Sequence, residues 1–195
     1  MNATEHIVEA YYRFCKKHFT LSDVKVINGN NRQMDLLTFD PKAKEFFHIE
    51  VSVTHLEKWC PNIQDLKEKF REKYFGTPKV KSGTNTDSAK GKKYQVAIDK
   101  TYAEYGVDFE KVNRVWCCWT IKDATEDIQT LVGNCFKQVA AEEGFSSLPP
   151  LEFLAFRDEV IPKLRVEIGT SNYDDEILRT ISLLSRFDEQ SQVEY

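Results

Sequence analysis

Asp35 and Glu50 are carboxylates set into an otherwise apolar stretch, Arg32 to Thr54 (R-Q-M-D-L-L-T-F-D-P-K-A-K-E-F-F-H-I-E-V-S-V-T), with fourteen residues between them. A carboxylate taken out of water costs several kcal/mol unless a cation or hydrogen-bond donor meets it. Two such groups brought together by one hairpin point to a site for a divalent metal ion. The plainer alternative is a pair of acids on a solvated sheet edge. Which holds depends on the elements that position them.

The stretch reads as two strands around a tight turn at Asp40-Pro41. Met34, Leu36, Leu37 and Phe39 are the apolar residues of the first, and Phe46, Phe47, Ile49, Val51 and Val53 those of the second. Ahead of it, Thr4 to His18 places Ile7, Ala10, Tyr11, Phe14 and Cys15 at helical spacing behind a cap at Asn2 or Thr4. Asp23 to Asn28 alternates like a short strand. After it, Pro61 opens a helix to Tyr74 or Phe75, with Ile63, Leu66, Phe70 and Tyr74 inward and Lys67, Lys69, Arg71 and Lys73 on its other faces. Those lysines alternate with Glu68 and Glu72, so a solvated helix face explains them equally well.

Lys79 to Lys93 has almost no apolar residues and reads as a mobile basic loop. Tyr94 to Tyr105 is a second amphipathic helix, stopped by Gly106. Arg114 to Ile121 (R-V-W-C-C-W-T-I) is apolar enough to be a central strand buried on both faces, with Trp116 and Trp119 on opposite sides. Asp123 or Thr125 then caps a helix to about Glu143, Leu151 to Phe156 is a last strand, and Pro162 to Ile168 fits helix or strand. Ile177 to Phe187 is a final helix, and residues 188–195 should fray. This order predicts one α/β domain over residues 1–195: a central mixed sheet flanked by helices on both faces.

With 41% hydrophobic and 12% aromatic residues, the chain packs a full core. A net charge of −4 predicts neither a nucleic-acid nor a membrane partner in bulk. The charge is uneven, however: Asn62 to Lys93 holds nine Lys/Arg against four Asp/Glu, and Ala140 to Tyr195 five against twelve. Five cysteines without a C-x-x-C pair read as free thiols in a reducing compartment, and no apolar run approaches membrane-spanning length. A cytoplasmic protein is therefore expected. His6 and His18 read as surface residues of the first helix, and His55 as a strand-end residue without a chemical role.

Asp35 and Glu50-Val51-Ser52, placed on a meander between two helices, resemble the PD-(D/E)xK nuclease superfamily with its restriction-endonuclease-like fold. The resemblance covers Thr4 to about Ile121. It implies a metal-dependent nuclease acting on DNA or RNA, with Asp35, Glu50 and the Val51 carbonyl holding Mg²⁺ or Mn²⁺ and Glu9 as the additional acid some members use. Glu9 also has Arg13 four residues on, the spacing of an ordinary helix pair. The chain departs from the pattern at Ser52, where a lysine is expected. Some branches, including the cap-snatching endonucleases of segmented negative-strand RNA viruses, take that lysine from the following helix, which offers Lys67 first and Lys69 or Lys58 behind it. The basic helix and loop would then hold the nucleic-acid backbone. The superfamily often dimerises to cut two strands, so a homodimer is compatible with the resemblance. The alternative is a catalytically degenerate relative that lost the lysine and binds nucleic acid or a protein partner.

Overall fold

The computed structural model describes residues 2–29, 31–77, 88–122, 124 and 127–191, with the backbone alone for 57 and 88–93. They form one α/β domain around a five-stranded mixed sheet in the order β1-β2-β3-β4-β5. The strands are β1 (Phe19–Lys25), β2 (Gln33–Asp40), β3 (Glu45–Ser52), β4 (Asn113–Cys118) and β5 (Glu152–Ala155). The first three make an antiparallel meander; β4 and β5 then add in parallel, each reached through helical crossovers. Among the described residues, no helix is long and apolar enough to cross a membrane.

Helices cover both faces. Helix α1 (Ala3–Tyr11) sets Val8 and Tyr11 against Leu36, Ile49, Val115 and Leu154, and α5 (Ile161–Ile168) and α6 (Glu176–Ser191) pack behind it on Ala10, Leu164, Ile168 and Leu178. On the other face, α2 (Ile63–Tyr74), α3 (Ser88–Glu104) and α4 (Ile128–Glu142) close over Leu37, Trp116 and Cys118 with Leu66, Phe70, Tyr74, Ile98, Tyr102 and Phe136. As the alternation in β4 requires, Cys117 and Trp119 lie with the α1 cluster, Cys118 and Trp116 with the α2 cluster.

Local chemistry accounts for the helix starts. Asn2 and Asn62 each form a capping box, with Glu5 and Asp65 returning a bond to the cap amide. Helix α2 therefore begins after Asn62, one residue past Pro61. Helix α1 ends at Tyr11 and passes into a π-turn, Tyr12–Lys16, so His18 lies beyond the helix. Asp127 caps α4, accepting from the Thr130 amide; Asp123 and Thr125 lie outside the described residues. Of the segment read as a basic loop, 79–87 lie outside the described residues, whereas 88–93 open α3. The ambiguous 162–168 segment is helical, and α6 continues through Ser191, past the point where fraying was expected.

The first strand runs over 19–25 rather than 23–28, because its partner is β2 and the register with Phe39 fixes its start. Its pairing skips Asp23, whose backbone is left-handed (φ 52°). Asp35 faces that gap. There the side-chain alternation of β2 breaks, so that Met34 and Leu37 face the α2 side and Leu36 the α1 side. The far edge of the sheet is closed by one side chain: the Gln129 amide donates to the Leu151 carbonyl (3.0 Å) and accepts from the Phe153 N–H (2.7 Å), occupying the groups a sixth strand would use.

Gly76 ends α2 at φ 74°, and a β-carbon there would come within 2.8 Å of the Tyr94 and Gln95 backbone of α3. Gly76→Ala should therefore cost about 2 kcal/mol or more in urea unfolding, from backbone strain and the clash between α2 and α3. An unchanged unfolding midpoint would show that the two helices are not held this closely.

Candidate functional site

The two acids converge. Register pairs Leu36 with Ile49, and one step further along the meander Asp35 comes opposite Glu50, both on the face covered by α2 and α3. Asp35 is 5% exposed and Glu50 1%. Their shared partner is Lys73, in the last turn of α2: its Nζ lies 2.5 Å from Glu50 Oε2 and 3.4 Å from Asp35 Oδ1. One ammonium nitrogen at ion-pair distance from both carboxylates places them within bridging reach of a single cation. Asp35 Oδ2 also accepts from the Val51 N–H at 2.8 Å.

Helix α2 carries two basic stripes, one on each flank of its buried Leu66–Phe70–Tyr74 ridge. Lys69 and Lys73 lean over the sheet. Lys69 Nζ donates to Ser52 Oγ at 2.9 Å and lies over the Trp116 ring, 5.6 Å from its centroid. Thus Ser52, standing where a lysine was expected, receives an ammonium from the helix. Arg71 on the other flank pairs with Glu142 and Glu143 at the end of α4 (3.7 Å to the latter). Lys67 shares that flank, where its charge acts on the Cys135 thiol of α4. The lysine expected first, Lys67, is therefore not in the cluster: six residues before Lys73, it is rotated about 240° around the helix axis.

Glu9 does not join the pair either. It projects from α1 on the opposite face of the sheet and accepts from Thr20 Oγ1 at 2.9 Å. Val51 enters through its amide, and its side chain packs on the α1 side. His55 is exposed past the end of β3. His18, expected at the surface, is buried between Tyr12 and Phe47, with Nδ1 3.1 Å from Thr38 Oγ1. His6 pairs with Asp175 at 2.7 Å.

One participant was not anticipated. His48, fully buried, lies two residues before Glu50 on the same strand face, with Nε2 2.7 Å from Glu50 Oε1 and Nδ1 2.6 Å from the Tyr102 hydroxyl of α3. The Tyr74 and Tyr102 rings pack edge-on against the imidazole. The H-x-E spacing in a strand carried this signal, since residues two apart share a face.

Burial sets the charge states. It is the largest effect on Asp35, and together with the neighbouring Glu50 it raises that carboxyl to about 6 against the pull of Lys73. Burial likewise raises Glu50, with Lys73 opposing. Burial would lower Lys73, but the two carboxylates more than offset it and hold its pKa above the ordinary value. Burial, helped by the nearby Arg114 guanidinium, pushes His48 down to about 3, so it is neutral at physiological pH. Lys73 therefore keeps its proton between the two carboxyl groups.

Glu50 Oε2 is buried and receives no hydrogen bond of normal geometry, its ion-pair partner notwithstanding. An oxygen in that condition, beside a second carboxylate, suits a small hard cation that keeps several waters. Among the described residues, no group of three or more His, Cys, Asp and Glu side chains has metal-site geometry. A cleft of about 370 Å³ lined by Arg32, Gln33, Met34, Glu72 and Lys73 shares Lys73 with the pair, and neither acid lines it. Comparisons with protein-family models, with curated proteins and with solved structures found no match.

Proposed function

We propose that the chain is a metal-dependent nuclease of the restriction-endonuclease-like fold, hydrolysing phosphodiester bonds of DNA or RNA. The observation that supports this best is the buried convergence of Asp35 and Glu50 from neighbouring strands under one lysine of the following helix. The order of helix, acid-bearing meander, helix and buried parallel strand agrees with the core that the resemblance implies.

Asp35 and Glu50 would hold Mg²⁺ or Mn²⁺, with the Val51 carbonyl as a further oxygen. Bound there, the ion supplies a water of lowered pKa and neutralises charge growing on the phosphate. Lys73, its proton held firmly by two carboxylates, acts as a fixed positive charge toward a phosphate oxygen rather than as a base. Lys69, anchored on Ser52 two residues beyond Glu50, adds a second positive charge at the end of the same strand. Arg32 and Lys73 on the cleft wall suit contact with the nucleic-acid backbone, which is independent of sequence and sensitive to salt.

A second reading has its own support: the Lys73 ammonium already neutralises the acids, as expected of a degenerate member that binds nucleic acid or a protein without cutting. Titrating Mn²⁺ while following thermal unfolding separates the two. The nuclease reading expects the wild type to gain stability by mass action, Asp35→Ala to gain none, and cleavage of single- or double-stranded substrate to require the metal. No metal response in the wild type favours the degenerate reading.

A further inference from the structure

The Tyr102–His48 pair does more than fill the core. We infer that it is a positioning device for Glu50, fixing which carboxylate oxygen faces a cation and thereby setting the affinity of the site for divalent metal. The cation's identity rests on the nuclease reading; the hydrogen-bonded chain does not.

Glu50 presents Oε2 to the Lys73 ammonium at 2.5 Å and Oε1 to His48 Nε2 at 2.7 Å, and with Oε1 as the acceptor the hydrogen of that contact belongs to His48 Nε2. A neutral imidazole with a proton on Nε2 has a lone pair on Nδ1, and the Tyr102 hydroxyl, 2.6 Å away, is the donor that fills it. In this arrangement each donor along the chain meets one acceptor. The chain Tyr102 O–H to Nδ1, Nε2–H to Oε1 crosses from α3 through β3 and ends on the acid. Every member is buried, with Tyr102 and His48 both fully so.

Two consequences follow for Glu50. Its Oε1 is occupied by a neutral donor that adds no positive charge to repel a cation. Its Oε2 is turned toward the Lys73 ammonium, 2.5 Å away, on the side where Asp35 also lies. The carboxylate is therefore oriented for one-oxygen ligation before any cation arrives. Outer partners of this kind, when removed, typically weaken metal binding about 10- to 100-fold.

The test measures Mn²⁺ binding calorimetrically to the full-length chain carrying Tyr102→Phe, His48→Leu or His48→Gln, with far-UV circular dichroism and apo melting temperature as checks of folding. Tyr102→Phe, which removes only the hydroxyl, should weaken Mn²⁺ about 10-fold. His48→Leu should weaken it more, and His48→Gln, which keeps an N–H at the ε position, should recover most of the loss. A purely structural role would lower the melting temperature of Tyr102→Phe and leave Mn²⁺ affinity unchanged, and that result overturns the inference. If the wild type binds no Mn²⁺, the nuclease reading fails first. Competition with a fixed cation then tests the orientation itself: the Lys73 resonance in the ¹⁵N spectrum should shift in Tyr102→Phe, and an unshifted resonance would overturn the inference in that case.

Discussion

Replacing Lys73 with methionine should destabilise the protein by about 2–3 kcal/mol at pH 7.5. Glu50 is 1% exposed and its Oε2 sits 2.5 Å from the Lys73 ammonium, so the variant leaves a buried carboxylate without its counter-charge. Breaking a fully buried pair from one side typically costs about 3–5 kcal/mol. The lysine side chain is 35% exposed, so water reaches part of the pair and the lower figure applies. The variant has one escape: Glu50, already raised by burial, can take up a proton. A raised folded-state pKa gives stability at low pH that disappears as pH rises, so the defect should shrink toward pH 5 and widen toward pH 8.

The double variant Glu50→Gln/Lys73→Met should recover most of the loss, because no charge is then stranded. Under the nuclease reading, Lys73→Met also loses cleavage while Lys67→Ala retains it, since Lys67 lies on the flank facing α4. Urea unfolding at three pH values provides the measurement. A Lys73→Met midpoint equal to that of the wild type at pH 8 would remove Lys73 from the site.

Asp35→Asn should do the opposite and stabilise the metal-free protein above pH 6 by about 3 kcal/mol. Burial and the adjacent Glu50 hold the Asp35 carboxyl near 6, above its ordinary value of 3.8, although Lys73 and the Val51 amide pull downward. The folded state therefore binds that proton more tightly than the unfolded chain. The resulting stability is complete below pH 3.8 and is lost as pH climbs through 6. Asparagine imitates the protonated acid at every pH and can still accept from the Val51 N–H.

The difference between variant and wild type should accordingly be near zero at pH 4, grow between pH 4 and 6, and level off above 7. His48 contributes with the reverse sign. Its folded pKa of about 3 lies below the ordinary 6.5, so its stability is present above 6.5 and lost as pH falls toward 3. That effect is shared by both proteins except for the upward pull of Asp35 on His48, which asparagine removes. Added Mn²⁺ should invert the ranking by stabilising only the wild type. A difference that does not vary with pH would show that Asp35 is not buried beside Glu50. A site that lowers the stability of its own metal-free fold is the usual cost of placing charge where it can act.

Much of this was readable from residue order. The apolar run of β2 and β3, broken by Asp35 and Glu50, specified a hairpin with two acids on it, because strand periodicity and a short turn leave few alternatives. The uninterrupted apolarity of Arg114 to Ile121 marked a central strand, and the adjacent cysteines had to take opposite faces. Cap chemistry at the start of α1, narrowed to Asn2 or Thr4, was local and equally legible. These signals act over a few residues, where the physics is nearly independent of the rest of the chain.

The lysine was decided at longer range. In α2 the sequence offers Lys67 and Arg71 on one side of the Leu66–Phe70–Tyr74 ridge and Lys69 and Lys73 on the other, with nothing local to rank them. Only the seating of that ridge between the sheet and α4 turned Lys73 toward the acids and Arg71 toward Glu142. The same packing put Glu9 on the wrong face of the sheet and fixed the start of β1 by its register with β2. It also brought Tyr102 from a helix more than fifty residues away onto His48. Strand alternation says which residues share a face; which helix flank covers that face is set by the rotation of one packed element against another, and that exists only in three dimensions.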